Sequence, residues 1–352
     1  MTLQETLKAV GEPDEESALL AKRHWDSVAK PLNSLGVLER DLIRIAAVRK
    51  SADISIEGKA IVVMCADNGV VEEGVTQTGQ EVTAIVAGHM GEAASCVCLM
   101  ASLAGARVIP VDVGMVNDAD SQGVVLRKVA RGTRNFLKEP AMTREETIQA
   151  LEVGIRTAAE LKAAGCELAG SGEMGIGNTT TSSAVLSVLL NQPPSVVTGR
   201  GAGLDTPSLN RKIQVIEEGI RLRSPNPEDG IDVLSKVGGL DLAGLAGFYI
   251  GCAYHRIPVV LDGLICAAAA LAAVRICPRV RDFMLASHIS AEPAGAMALE
   301  ALGLEPAINA GMCLGEGTGA AALFPLLDMA LKVYRTMSTF DEMKVEQYQP
   351  LN

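Results

Sequence analysis

Beyond residue 60 one arrangement recurs about six times: a short apolar run, a turn of Gly, Asp, Ser or Thr, then an Ala-rich stretch of helical periodicity. The runs cover 60–65, 108–113, 166–169, 195–197, 257–261 and 282–286. They end at Ala66-Asp67-Asn68-Gly69, Gly114, Gly170-Ser171-Gly172, Thr198-Gly199-Arg200, Asp262-Gly263 and Ser287-His288. Runs this short, apolar throughout rather than alternating, suit strands covered on both faces. Stretches 180–190, 242–254 and 264–274 have the spacing of covering helices. The pattern predicts an α/β fold: a Rossmann-like parallel sheet of about six strands with helices on both faces. Residues 17–25 and 36–50 also read as helices, separated by Lys30-Pro31, and 319–337 as a long final helix before a polar tail.

Composition narrows the function. Hydrophobic residues are 48 %, charged 21 % and aromatic 3 %, so the core is built from Ala, Val, Leu and Ile, and disorder is excluded. Run 257–273 is short for a membrane span and carries Asp262 in its middle. The first residues show no basic segment followed by an apolar one, so the cytoplasm is the expected compartment. A net charge of −11 with scattered Lys and Arg argues against nucleic acid as a partner. The eight Cys form no CxxC pair and have no His at zinc-site spacing. Buried free thiols and no metal site are therefore expected.

In open parallel sheets, ligands bind outside the carboxyl ends of the strands, where the polar turns gather. In the turn from Gly170 to Thr181, glycines at 172, 175 and 177 permit close backbone approach, and Asn178 or Thr179 can cap the next helix. Amides at that helix start suit a phosphate, although a tight structural turn accounts for the same glycines. A second turn carries Gly199, Gly201 and Gly203, followed by Lys212, which is either a phosphate-binding charge or a solvated lysine. In Leu314-Gly315-Glu316-Gly317, the acid opens the last helix, as a base or as a helix-start carboxylate. Ser287-His288-Ile289-Ser290-Ala291-Glu292 places hydroxyls at a strand end, with His288 read as packing or capping.

Together the turns resemble the nicotinate-nucleotide–dimethylbenzimidazole phosphoribosyltransferase family of cobamide synthesis. The resemblance runs in order from Lys30-Pro-Leu-Asn-Ser-Leu-Gly36 through Ala66-Asp67, Gly74-Val-Thr76 and Gly172-Glu-Met-Gly-Ile-Gly-Asn-Thr-Thr180. It continues through Gly199-Arg-Gly201, Gly238-Gly239, Pro258-Val-Val-Leu-Asp-Gly263, Ser287-His288, Ser290-Ala-Glu-Pro293, Leu299-Glu-Ala-Leu-Gly-Leu-Glu-Pro306 and Leu314-Gly-Glu-Gly-Thr-Gly-Ala-Ala321. It implies a large α/β catalytic domain, 51–330, and a small helical domain from 1–50 and 331–352. It implies a dimer, homodimeric or built with a paralogous subunit. It also implies transfer of ribose 5-phosphate from nicotinate mononucleotide, a substrate rather than a cofactor, to a lower-ligand base, with no metal. Glu316 then corresponds to the general base and Glu173 to a second active-site carboxylate that could stabilise a cationic ribose. Gly175, Gly177, Asn178, Thr179, Gly201, Gly203, Lys212, Ser290 and Gly315 correspond to phosphate and ribose contacts, and Asp67 and Thr76 to further substrate contacts.

The chain departs from the family pattern at Asn68, where His is usual, at Thr76 and Gly79, where Ser and Pro are usual, and at Ala84 after Val82-Thr83, where Gln is usual. These positions fall on the segment that resembles the base pocket. They raise phenol or p-cresol as an acceptor beside 5,6-dimethylbenzimidazole. A non-catalytic partner subunit is the competing reading, opposed by the retention of Glu173 and Glu316. A dinucleotide oxidoreductase is opposed by Asp67-Asn68-Gly69, which stands where a Gly-x-Gly-x-x-Gly fingerprint would.

Overall fold

The structure is a computed structural model describing residues 2–348. The last residues of the expected helical domain, 349–352, lie outside the described residues. In chain order the helices and strands are α1 (Leu3–Ala9), α2 (Glu15–Ser27), α3 (Val37–Arg49), β1 (Lys59–Ala66), α4 (Glu81–Gly91), α5 (Cys96–Leu103), β2 (Ala106–Gly114), β3 (Val125–Leu126), α6 (Arg144–Ala163) and β4 (Leu168–Met174). They continue with α7 (Asn178–Leu189), α8 (Pro194–Val197), α9 (Thr206–Arg223), α10 (Gly230–Val237), α11 (Leu240–His255), β5 (Val259–Leu261), α12 (Leu264–Ile276), β6 (Met284–Ala286), α13 (Gly295–Leu302), α14 (Thr318–Thr336) and α15 (Phe340–Met343).

The sheet is parallel throughout, with strand order β3-β2-β1-β4-β5-β6. Strand order reverses between β1 and β4, which opens a crevice at their carboxyl ends. Apolar helices cover both faces. Helices α6, α7 and α10–α13 bury one face, joined by α1, whereas α2–α5 and α14 bury the other. The terminal segments meet where Val28 bridges Thr339.

The closest helix pair is α6 against α11. A Cβ on Gly247 would overlap the Leu151 carbonyl, and one on Gly154 would overlap the Gly244 carbonyl. Small residues therefore let the two backbones touch, and α11, which lies against β1, is seated firmly behind the crevice.

Three local expectations are corrected. Residues 195–197 are not a strand: Pro193 and Pro194 remove two ladder donors, and Pro194 starts the short helix α8. The edge strand is instead the two-residue β3, too short to leave a pattern in the sequence. The third apolar run does not end at Gly170, because β4 continues to Met174 and its glycines lie inside the sheet. Six of the expected thiols are buried, whereas Cys96 and Cys313 are exposed.

Segment Glu81–Leu103 is apolar and long enough to cross a membrane by length and composition. It forms two helices, α4 and α5, broken at 92–95, where Ala93 is left-handed and Ser95 caps α5.

Gly247→Ala is expected to destabilise the fold by about 1–3 kcal/mol, because the overlapped atom is backbone and cannot swing away. Urea unfolding checks this, and an unchanged midpoint would show that the two helices slide apart freely.

Candidate active site

Glu173 is the penultimate residue of β4, beside Met64 of β1 at the strand-order reversal. It is buried, and the chain turns directly after it through Gly175 and Gly177. Gly177 is left-handed and takes the N-cap position of α7, so neither Asn178 nor Thr179 caps the helix as expected. The Asn178 side chain turns inward instead: its Nδ2 donates to Glu173 Oε2 and to Asp241 Oδ2, the latter at 3.1 Å. The start of α7 has no side-chain cap; the Asn178 and Thr180 amides bond to the Gly175 and Gly177 carbonyls, which leaves the Thr179 amide for an anion.

The loop before α14 crosses β4 closely. Gly315, Glu316 and Gly317 have φ of +88°, +61° and +97°, three successive left-handed residues. A Cβ on Gly172 would collide with the Glu316 carbonyl, and one on Gly315 would lie 2.6 Å from Glu173 Oε1. The expectation that Glu316 occupies the start of the last helix is corrected. That place belongs to Asp262 at the end of β5, which accepts the amides of Gly317 (3.0 Å) and Gly319 (2.7 Å). Glu316 reaches across to α5, where Oε2 accepts the Val97 amide at 3.2 Å. Its other carboxylate oxygen is left for a ligand.

These acids enclose a cavity of about 240 Å³ that is also lined by Met174, Gly175, Ile176, Asn178, Thr179, Gly201, Ala202, Asp262, His288, Ser290, Glu292, Cys313 and Gly315. Burial is the main cause that pushes Glu173 up to about 8, reinforced by Asp241 and Asp262. Burial likewise carries Asp241 and Asp262 to about 7. Behind Thr179, Lys212 is only 1 % exposed, not a solvated lysine. Its Nζ donates to Thr179 Oγ1 at 2.9 Å and to the Gly199 carbonyl at 3.3 Å. Burial lowers it to about 8, with Glu292 pulling the other way. A buried cation bonded only to neutral oxygens is a ready counter-charge for an anion.

The structure thus brings Glu173, Gly175, Asn178, Thr179, Gly201, Ser290, Gly315 and Glu316 to one cavity, with Lys212 directly behind Thr179. Gly177 and Thr76 line a smaller hollow on the far side of the same turn. Gly203 is exposed, its carbonyl accepting from Gln77 Nε2. Asp67 does not reach the cavity: Thr83 Oγ1 and the Val116 amide hold its carboxylate in a buried bracket between strand ends. Asn68 is buried too, donating to the Ile176 carbonyl and accepting from Thr181 Oγ1, both at 3.4 Å. Three contributors escaped the sequence reading. Asp262 was visible as an acid ending an apolar run. Asp241 was marked only by the preceding Gly238-Gly239. His288 lines the cavity with Nδ1 2.9 Å from Ser287 Oγ, so it is more than packing. Among the described residues, no group of three or more His, Cys, Asp or Glu is arranged to hold a metal ion.

A strand-reversal cavity with an uncapped helix start, a buried lysine behind it and clustered carboxylates defines an α/β enzyme built to hold an anionic ligand beside acid–base groups. The family model described as Phosphoribosyltransferase (DBI_PRT) matches residues 10–345. The chain is 48 % identical over 348 residues to the nicotinate-nucleotide–dimethylbenzimidazole phosphoribosyltransferase of Acetivibrio thermocellus, covering 99 % of each. It is 45 % identical over 351 residues to the protein of that name from Ruminiclostridium cellulolyticum, covering 100 % of each. A crystal structure of CobT from Thermus thermophilus superposes with a TM-score of 0.89 at 38 % identity, covering 95 % of this chain and 100 % of that one. The chain belongs to the nicotinate-nucleotide–dimethylbenzimidazole phosphoribosyltransferase family and is a pentosyltransferase.

The acids predict a pH dependence of stability. Glu173, Asp241, Asp262 and the separate Asp41 are all raised, so the fold keeps protons that the unfolded chain has lost. Their contribution is complete below the unfolded carboxylate range and is lost as pH rises through about 7 to 8. His255 and His288 are lowered by burial and act in the opposite sense, but only until they are neutral in both states. The melting temperature is therefore expected to fall between about pH 6.5 and pH 8. Glu173→Gln should flatten the upper part of that fall; calorimetric scans showing no slope in either protein would contradict the buried-acid reading.

Proposed function

We propose that this enzyme transfers ribose 5-phosphate from nicotinate mononucleotide to 5,6-dimethylbenzimidazole, releasing nicotinate and forming an α-ribotide. The observation that carries the proposal is the convergence of Glu316 and Glu173 on one cavity that Thr179 and the uncapped start of α7 also line, with Lys212 bonded to Thr179 from behind. The names of the relatives support the substrates.

In this reading the 5′-phosphate lies against the α7 amides and the Gly201 turn, with Lys212 as counter-charge and Ser290 beside the ribose. Glu316, its rotamer fixed by the Val97 amide, takes the proton of the incoming base as the C1′–nitrogen bond forms on the face opposite the departing nicotinate. The pyridinium is already a leaving group, so the reaction requires no metal or further cofactor. Burial raises Glu173 to about 8, so it holds its proton at neutral pH until positive charge reaches it. The positive charge of the pyridinium, and then of the oxocarbenium-like ribose, favours ionisation, so the carboxylate becomes available as that charge reaches the site.

A homodimer belongs to the same proposal. Helix α5, whose Val97 amide holds Glu316, exposes Leu99 and Leu103 at 63 % and 88 %, and α4 beside it exposes Ile85. A second copy covering that face would shield the cavity. Buried free thiols fit a reducing cytoplasm.

Incubating the purified protein with nicotinate mononucleotide and a panel of dimethylbenzimidazole, purines, phenol and p-cresol tests the reaction by mass spectrometry. Nicotinate release and an α-ribotide of dimethylbenzimidazole are expected. O-linked products from phenols alone would move the acceptor to the phenolic class, and no release with any acceptor would end the proposal. Glu316→Gln keeps the size and the Val97 bond but removes the base, so turnover should fall about 10²–10⁴-fold. Near-normal turnover would remove Glu316 from the mechanism.

A further inference from the structure

We infer that Asp241 is a positioning residue: through the shared Asn178 amide it fixes the orientation and proton occupancy of Glu173, preparing the site for a nucleotide whose base carries positive charge. The inference deepens the transferase reading above and rests on it for the identity of that nucleotide.

Asp241 does not line the cavity and is fully buried, so it acts through another group. Its Oδ1 accepts the Leu242 amide at 2.9 Å, which leaves Oδ2 for Asn178. A primary amide has two N–H donors, and here Nδ2 faces one acid with each: Asp241 behind and Glu173 in front. Turning the amide to present its oxygen would set acceptor against acceptor at any ionised carboxylate, so the donor orientation is the one that matches the charged form. Glycines make the room. A Cβ on Gly239 would overlap Asp241 Oδ1, and one on Gly175, which first meets the Ala66 carbonyl, would also lie 2.8 Å from Asp241 Oδ2. Two backbone turns thus approach closely an acid that does not line the cavity.

The groups acting on the pair are acidic or neutral. Asp262 and Glu316 act on Glu173, and Asp67 acts on Asp241. The buried thiols of Cys65 and Cys266 lie in the same field. Two carboxyls tied by one amide in so dry a place retain a proton between them. When a cationic ring arrives, the charged form of Glu173 is favoured and its proton passes to bulk water. The amide stays bonded to both acids throughout, so the carboxylate is delivered without a change of rotamer.

The test follows the Glu173 carboxyl by carbon-13 titration in the ligand-free full-length protein, which needs no turnover. Asp241→Asn removes the like charge, and the Glu173 midpoint should fall by about one unit. Asn178→Ser keeps both acids but removes the bond that favours the charged form, and the midpoint should rise. Opposite shifts are the expected signature; if Asp241→Asn fails to fold, the rise in Asn178→Ser carries the test. A Glu173 midpoint unmoved in either folded variant would overturn the inference. In turnover, Asp241→Asn should lower kcat/KM with a displaced acid limb, and should add nothing further in a Glu173→Gln background. Equal losses in both backgrounds would mean that Asp241 is only structural. Absent turnover with shifted midpoints would sink the transferase reading and leave the coupling standing.

Discussion

A glycine at 172 lets the backbone of Glu316 press against strand β4, and the arrangement of the cavity follows from that approach. The two residues are far apart in sequence, and a side chain on β4 would push the loop outward. Glu316 would then lose both its nearness to Glu173 and its bond to the Val97 amide. Three consecutive left-handed residues are a costly backbone for a loop that includes a non-glycine. The cost is met locally by Asp262, which accepts two amides at the start of α14 and ties the loop to the end of β5. Strand, loop and helix are one mechanical unit, and the acid at its tip is held rather than tethered.

The electrostatics of that unit oppose its own stability. Glu173, Asp241 and Asp262 are buried without a basic partner, and each is driven toward its neutral form. Lys212 is buried behind Thr179 and driven toward neutrality in turn. A fold selected for stability alone would pair these charges or replace them with apolar residues. Kept apart, they leave a cavity with acids on one side and a lysine behind the other, each ready to take its charged form when an opposite charge arrives. A nucleotide with an anionic phosphate at one end and a cationic ring at the other restores the missing counter-charges at both. Binding energy and the preparation of the reacting centre then come from the same burial.

Most of the sheet and the helices α2, α3, α7, α11, α12 and α14 were legible because parallel strands covered on both faces leave unbroken apolar runs between Ala-rich stretches, whereas α6 and α9 were not. The exceptions have local causes. Prolines 193 and 194 sit in a run apolar enough to pass for a strand, and β3 is too short to register. Glycines inside β4 resemble a turn in sequence, because a residue kept small for a neighbour's backbone looks the same as one kept small for a bend. In the cavity, the turns bearing Glu173, Asn178, Thr179, Gly201 and Glu316 were readable, since ligand turns cluster at strand ends. Partners could not be read. Which amide Glu316 accepts, or that Asn178 faces two acids instead of capping α7, depends on contacts across the fold.

The departure at Asn68 acquires a different meaning once its bonds, and those of Thr83 just before the departure at Ala84, are known. Asn68 bonds to the carbonyl of Ile176 and to Thr181, and Thr83 Oγ1 donates to Asp67 and accepts the Ile176 amide. Both side chains brace the back of the Gly175–Gly177 turn and neither lines the main cavity. A His at 68 would need different partners for its ring nitrogens in the same buried place, so this exchange alters how the turn is supported rather than what a bound base meets. Thr76 differs: with Gln77 and Thr78 it lines the hollow beyond Gly177, and its hydroxyl is spent on the Thr78 carbonyl. Of the departures from the family pattern, this loop has direct access to a ligand reaching past the turn, and any difference in acceptor preference has its physical opportunity there.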